Sequence, residues 1–182
     1  STYDGRAVDK NELDAILDAA KIDGCEIILI PDQNKIEQAL EMILAANTSQ
    51  VEYPEFAAEL KSWIRFSSAS AAATRDGLYA ACSGNPTLPA WLGNLMFGFV
   101  FKAPAENDRI ARQIRSSSGL AVFVTDKDDK EHWIKSGRSY QRFALKSTLL
   151  GVRHAFLNQP VEVTSVRSEF SKWLGVNGRR PD

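Results

Sequence analysis

The spacing of apolar residues along the chain predicts a succession of helices and short strands. Apolar residues recur every three or four positions across 9–20, which predicts an amphipathic helix with Asp9 as its N-cap. The run of β-branched residues at 26–30 predicts a buried strand, because such side chains favour a pleated sheet. Helical spacing returns at 35–47 and at 56–64. We expect these two helices to cover one face of a sheet.

The second half of the chain continues the same alternation. Residues 119–125 predict a strand, and residues 130–150 predict a central helix about 30 Å long. A strand at 152–156 and a helix at 162–174 should follow. Residues 178–182 are typical of the lead into a further strand. The pattern indicates one layered domain of helices and sheet over 1–182, cut short at both ends.

Residues 67–93 interrupt this pattern. Small residues are followed there by turn-forming glycine and proline, with the aromatic side chains of Tyr79 and Trp91 among them. A long irregular segment inside a compact domain is typical of a lid over a site, and also of a packing loop. Both interpretations stay open on the residues alone.

Composition and charge narrow the class of protein. The 182 residues are 44% hydrophobic and 25% charged with a formal net charge of -1, which is typical of a soluble globular domain. The basic residues are interspersed with acids, so we expect no nucleic-acid partner. Apolar runs fall short of the roughly 20 residues that span a bilayer, so we expect no membrane span. We expect a cytoplasmic location, with an export signal upstream left open.

The familiar motifs of metal and nucleotide sites are missing from the sequence. Two cysteines and two histidines are too few for a zinc site at this spacing, so we expect no metal. The glycine-rich dinucleotide and phosphate loops are also absent. A flavin protein fits such a sequence, because the cofactor supplies the redox step while the protein supplies phosphate contacts and ring hydrogen bonds. No side chain is therefore assigned as a catalytic acid or base.

The predicted central helix carries a row of basic side chains. Lys135, Arg138, Arg142 and Lys146 are three or four residues apart and share one helix face. This row could bind a cofactor phosphate or could face solvent. Gln141 lies within an apolar stripe, so we expect its amide to be buried and to bind either a loop or a ligand. The stripe comprises Trp133, Gly137, Tyr140, Ala144, Leu145 and Thr148.

A polar loop precedes the strand predicted at 119–125. Arg115, Ser116 and Ser117 supply a guanidinium and hydroxyl groups, which suit an oxyanion or the edge of a flavin ring, and also an ordinary loop. His154 falls within a predicted strand, where a core histidine is favoured over a catalytic base. His132 lies beside a charged stretch and is expected at the surface.

Several stretches resemble the nitroreductase family of FMN-dependent proteins, and more specifically its Acg-like branch, in which two nitroreductase-type halves are fused. Residues 1–8 resemble the opening segment that contacts the FMN phosphate in that family. The other similar stretches are 76–79, 84–91, 115–124, 132–133 with 137–138, 141–145, and 154–156 with 158–162. Together they cover essentially the whole chain, which is similar to the C-terminal half of that branch.

The resemblance implies an α+β sandwich with a central, mostly antiparallel sheet flanked by helices, and an FMN site between two halves. It implies NAD(P)H as reductant, a small-molecule electron acceptor, and a second half in the same chain or in a homodimer. Together with the patterns above, it indicates cofactor contacts at Ser1, Tyr3, Arg115, Ser116, Ser117, Arg138, Gln141 and Arg142, with Tyr79 and Trp91 in a lid.

The leading hypothesis is an oxidoreductase that passes reducing equivalents from NAD(P)H through FMN to a nitroaromatic, quinone or similar acceptor. One alternative is a protein that sequesters FMN without turnover, because an aromatic lid could close the ring off from substrates. A second alternative is a structural half that completes a pseudo-dimer, while the phosphate contacts lie in the other half. The acceptor and the choice between NADH and NADPH stay open.

Overall fold

The computed structural model has an α+β fold over the residues it describes, which are 2–83, 85–176 and 178–182. Its elements in chain order are α1 (Lys10–Ala20), β1 (Cys25–Ile30), α2 (Gln33–Glu52), α3 (Pro54–Trp63), β2 (Ile64–Arg65), α4 (Ser68–Thr74), β3 (Leu78–Tyr79), α5 (Ala90–Val100), α6 (Ala103–Arg115), β4 (Leu120–Thr125), α7 (Lys130–Leu149), α8 (Gln159–Glu162), α9 (Thr164–Trp173) and β5 (Arg180–Pro181). The predicted α+β class is confirmed.

The chain divides into two compact units. Unit 1 comprises residues 1–46 and 109–182, and unit 2 comprises residues 47–108. The single nitroreductase-like domain expected over 1–182 stays a prediction.

An antiparallel sheet in the order β1–β4–β5 lies in unit 1. The pairing of β1 with β4 runs from Cys25 opposite Thr125 to Ile30 opposite Leu120. Arg180 of β5 pairs with Thr125 on the other side of β4. The sheet is antiparallel, as expected. Residues 178–182, which were predicted to lead into a further strand, themselves contain the short strand β5.

The core of unit 1 joins the sheet to α2, α6 and α9. Ile36, Leu40 and Ile43 of α2 are buried in one cluster with Val124 of β4 and Phe170 of α9. Burying each of these side chains stabilises the fold by about 1.5–3 kcal/mol. The apolar residues that predicted the helix at 35–47 are therefore the residues by which α2 packs in the core.

α1 is held at both of its ends. The Asp9 carboxylate accepts a hydrogen bond from the backbone N–H of Asn11, which confirms the predicted N-cap. At the other end, the hydroxyl of Ser139 in α7 donates to the carbonyl of Ala20 at 2.7 Å. Because Ser139 and Ala20 are both fully buried, this bond satisfies a carbonyl that water cannot reach.

α7 is the predicted long helix, but only part of the predicted apolar stripe, including Tyr140, packs against the sheet. Phe123 of β4 meets Tyr140 and Phe143 edge-on, with ring centroids 5.8 and 5.7 Å apart. Trp133 and Leu145, both assigned to the stripe, are 46% and 66% exposed. The buried side chains of the helix are His132, Ser136, Ser139 and Ser147. Small hydroxyl groups thus let α7 approach its neighbours closely.

His132 lies in the core, so its expected place at the surface is wrong. Its Nδ1 is 2.6 Å from a carboxylate oxygen of Asp129, and its backbone N–H donates to the same oxygen. Asp129 is the N-cap of α7. These hydrogen bonds from His132 hold the pKa of Asp129 below its ordinary value.

Residues 152–156, predicted as a strand, have no regular structure in the described chain. Gly151 has a φ of +75° and ends α7, where the backbone N–H of Val152 donates to the carbonyl of Ser147. The rings of His154 and Phe156 then contact Tyr140 of α7. Packing on a helix replaces the expected strand pairing, and His154 is exposed, contrary to the prediction of a core histidine.

Unit 2 is more regular at 67–93 than the sequence predicted. Ser67 caps α4, and the alanine-rich sequence that follows favours a helix. β2 and β3 pair in parallel, with Ile64 opposite Leu78 and Arg65 opposite Tyr79. Among the described residues of this stretch, 85–89 is the longest segment without regular structure.

Two glycines of α5 provide a matched test of packing in unit 2. A Cβ added at Gly93 would clash with the ring of Phe66, whereas nothing described lies within 4 Å of a Cβ at Gly98. Gly93→Ala should lower the free energy of unfolding by about 1–3 kcal/mol, because the site is already filled. Gly98→Ala should raise it by up to about 1 kcal/mol through helix propensity. Urea denaturation measures both, and equal effects would contradict the packing of α5 against Phe66.

The Asp129 cap predicts how the stability of the fold changes with pH. A carboxyl with a lowered pKa stabilises the fold above its ordinary value of 3.8, and this contribution is lost as the pH falls through the lowered value. Asp129→Asn should therefore be less stable than the wild type at neutral pH, with the difference shrinking in strong acid. Urea midpoints across this range test the prediction, with Asp108→Asn as the control for net charge. A difference that stays constant with pH would contradict it.

Candidate functional site

One exposed face of α7 combines apolar and polar side chains. Its members, here called the α7 face, are Ile134, Arg138, Gln141, Leu145 and Leu149, which lie three or four residues apart. Ile134, Leu145 and Leu149 are 63%, 66% and 76% exposed. The face therefore has apolar side chains at both ends, with a cation and an amide between them.

Gln141 belongs to this face, so its expected burial is wrong. Its neighbours Tyr140 and Phe143 point towards Phe123 of the sheet, and this rotation of the helix turns Gln141 outward. Among the described residues, no hydrogen bond engages the Gln141 amide. The amide is thus free to donate to and accept from a ligand.

The basic row of α7 separates into free and engaged side chains. Arg138 is exposed and has no hydrogen-bond or ion-pair partner in the described chain. Arg142 is also exposed, and its guanidinium donates to the carbonyl of Lys21 at 3.3 Å. Lys135 instead forms an ion pair of 2.8 Å with Glu131, one turn away on the same helix. Lys146 is half-exposed and has no described ion-pair partner, so Lys135 is the one member of the row that a carboxylate neutralises, and Arg138 and Arg142 are its exposed members.

The N-terminal segment and the polar loop at 115–117 lie in contact. The backbone N–H of Tyr3 donates to the hydroxyl oxygen of Ser116 at 3.0 Å, although 113 positions separate them in the chain. Partial burial raises the pKa of the Tyr3 phenol. Ser1, the other predicted contact in this segment, lies outside the described residues. The structure thus brings together two of the segments that the sequence assigned to one site.

The polar groups of this loop are already hydrogen-bonded within unit 1. Arg115 binds both carboxylate oxygens of Glu37 at 2.8 Å, and this pairing holds the pKa of Glu37 below its ordinary value. The hydroxyls of Ser116 and Ser117 donate to the carbonyls of Gln113 and Ile114. An anion could engage Arg115 only by competing with Glu37.

An aromatic cluster beside α7 was missed by the sequence reasoning. The hydroxyl of Tyr140 lies 3.3 Å from Nδ1 of the exposed His154, and the rings of Tyr140 and Phe156 are 4.2 Å apart. Partial burial raises the pKa of Tyr140. The signal that could have found this cluster is the pair of rings that follows the glycine ending α7, since such rings commonly pack back on the helix.

The predicted lid residues lie in unit 2. Tyr79 is half-buried in β3, and Trp91 is 71% exposed in the first turn of α5. Trp91, Leu95 and Phe99 form an exposed apolar strip along α5, with exposed fractions of 71%, 62% and 78%. A role of these residues as a lid stays a prediction.

In the described part of the chain, no helix has the length and apolar character needed to cross a bilayer. Comparison of the chain with models of protein families, with curated proteins and with solved structures found no match in any of the three.

Proposed function

We propose that this chain forms one half of an FMN-dependent oxidoreductase of the nitroreductase type. In this proposal, reducing equivalents pass from NAD(P)H through FMN to a nitroaromatic, quinone or similar small-molecule acceptor. The resemblance of the sequence suggests the chemistry. The observation that carries the proposal is the α7 face, where two of the predicted cofactor contacts are exposed side by side on the longest helix of unit 1.

The composition of the α7 face supports a site shared between two halves. Large exposed aliphatic side chains on a rigid helix favour burial against another protein surface. A partner that covered Ile134, Leu145 and Leu149 would also enclose the polar groups between them. Arg138 and Gln141 would then bind a ligand away from bulk water, where hydrogen bonds to charged groups are stronger.

The exposed polar groups fit a phosphorylated cofactor with a polar ring edge. Arg138 and Arg142 would hold the phosphate, because guanidinium groups bind phosphate oxygens through paired N–H donors. Gln141 would bind the ring edge, because an amide matches both donors and acceptors. Arg115, Ser116 and Ser117 fit less well, since their polar groups already have partners within unit 1. Tyr3 would act by placing the N-terminal segment next to Ser116.

When bound, FMN would supply the redox chemistry that links NAD(P)H to the acceptor. The side chains of this half bind and orient, and the proposal assigns none of them as a proton donor. Alignment and electrostatic stabilisation are sufficient for hydride transfer. The partner half, in the same chain or in a second copy, would complete the pocket and exclude water.

The visible spectrum of the purified full-length protein is the first test of this proposal. After desalting and addition of FMN, we expect a retained flavin band that bleaches when NADH or NADPH is added without oxygen. A retained band that does not bleach would contradict turnover and favour sequestration of FMN. Failure to retain FMN would contradict the flavin proposal itself and leave a structural role for this half.

Charge reversal on α7 tests which residues hold the phosphate. Arg138→Glu combined with Arg142→Glu should weaken FMN binding by about tenfold to a hundredfold, because hydrogen bonds to a charged group are worth about 1.5–3 kcal/mol. Lys127→Glu combined with Lys130→Glu, at exposed positions at and just before the start of the same helix, controls for the same change in net charge. Fluorescence titration with FMN measures the affinities. Unchanged affinity in the double variant would place the phosphate contacts in the other half.

Substitution of the aliphatic residues tests whether the α7 face is covered. On a free surface, Leu145→Glu and Leu149→Glu should change the free energy of unfolding by no more than about 0.5 kcal/mol. If a partner half covers the face, each should cost about 2–5 kcal/mol, as burial of an unpaired charge does. In the full-length protein we expect each substitution to lower the free energy of unfolding by the larger amount. A neutral result for both variants would contradict a shared site at α7.

A further inference from the structure

Unit 2 contains an apolar groove that the proposed flavin chemistry does not use. Phe56, Leu60 and Trp63 follow one another at helical spacing along α3 and form one wall, and Gly77 and Leu78 form the other. The groove has a volume of about 470 Å³, within the range of small-ligand sites. Trp63 and Leu78 are 49% and 55% exposed, so the groove is open to solvent.

The second wall of the groove is braced, so the shape exists before any ligand arrives. Arg65 donates to the carboxylate of Asp76 at 2.8 Å and to the carbonyl of Ser62 at 2.7 Å. The hydroxyl of Thr74 and the guanidinium of Arg65 hold the pKa of Asp76 below its ordinary value. Gly77 has a φ of +71°, and a Cβ there would clash with the carbonyl of Trp63. The loop can therefore lie close against α3 only with glycine at this position.

The charge at the groove favours a cation. Glu59 lines the groove, and among the described residues its carboxylate is the one charged group in that lining. It has no described hydrogen-bond or ion-pair partner for its side chain. The guanidinium of Arg65, which lies beside Gly77, is paired with Asp76 at 2.8 Å. The indole of Trp63 also attracts cations through its ring face.

We propose that this groove binds a small ammonium ion that carries an aromatic or branched aliphatic group. The apolar group packs on Phe56, Leu60 and Leu78, while the ammonium pairs with Glu59 next to the indole of Trp63. This proposal does not depend on flavin binding.

Tryptophan indole signals provide a test with an internal control. The chain has four tryptophans, and Trp63→Phe and Trp91→Phe assign the two that matter in a ¹⁵N spectrum. Trp91 is more exposed than Trp63, at 71% against 49%, and does not line the groove. Titration with 2-phenylethylammonium should shift the Trp63 indole signal and leave that of Trp91 in place. Shifts of similar size at both indoles would show unspecific adsorption and overturn the proposal.

A comparison of two probes and a comparison of two variants test whether the groove recognises the charge of the ammonium ion or only its apolar group. Replacing the probe by 2-phenylethanol, which keeps the ring and removes the charge, should weaken binding about two- to fivefold. Glu59→Gln should weaken binding of the ammonium probe by a similar factor, whereas Glu55→Gln, on the same helix outside the groove lining, should not. If the alcohol binds as tightly as the ammonium ion, or if Glu59→Gln has no effect, the groove does not select a cation and the proposal is wrong.

Discussion

The contact of α7 with β4 and α1 determines which side of α7 faces solvent. Phe123 meets Tyr140 and Phe143, and the buried hydroxyl of Ser139 satisfies the last carbonyl of α1. Because side chains project from a helix at fixed angles, these contacts also determine the direction of every other position. Because the opposite side of the helix is buried, the α7 face is exposed. Arg138 can therefore reach a ligand.

The sequence predicted helices correctly where the spacing of apolar residues and a capping residue indicated the same boundaries. Asp9 marked the start of α1, and Ile36 and Leu40 showed the buried side of α2. α6 lies outside the predicted elements, although Ile110 and Ile114 have helical spacing.

The rotation of α7 could not be predicted in the same way. A hydrophobic pattern assigns serine and histidine to solvent, yet His132 and Ser139 are buried because each has a hydrogen-bond partner. The hydrogen-bond partner of Ser139 lies 119 positions away in α1. The burial of Ser139 is therefore favourable only once α1 and α7 are packed together. Gln141 and His154 were expected to be buried but are exposed, because the packing of Tyr140 and Phe143 sets the rotation of α7 and residues 152–156 form no strand.

In the candidate site, contacts with residues distant in the sequence determine which arginines are available to bind an anion. In the sequence, Arg115 and Arg138 are equivalent candidates for binding a phosphate. In the fold, Glu37 neutralises the first from 78 positions away, and the second has no described partner. The two sites proposed here therefore select opposite charges: the exposed cations of α7 favour an anion, whereas Glu59 in unit 2 favours a cation. Since one ligand cannot satisfy both preferences with a single charged group, the two sites recognise different ligands.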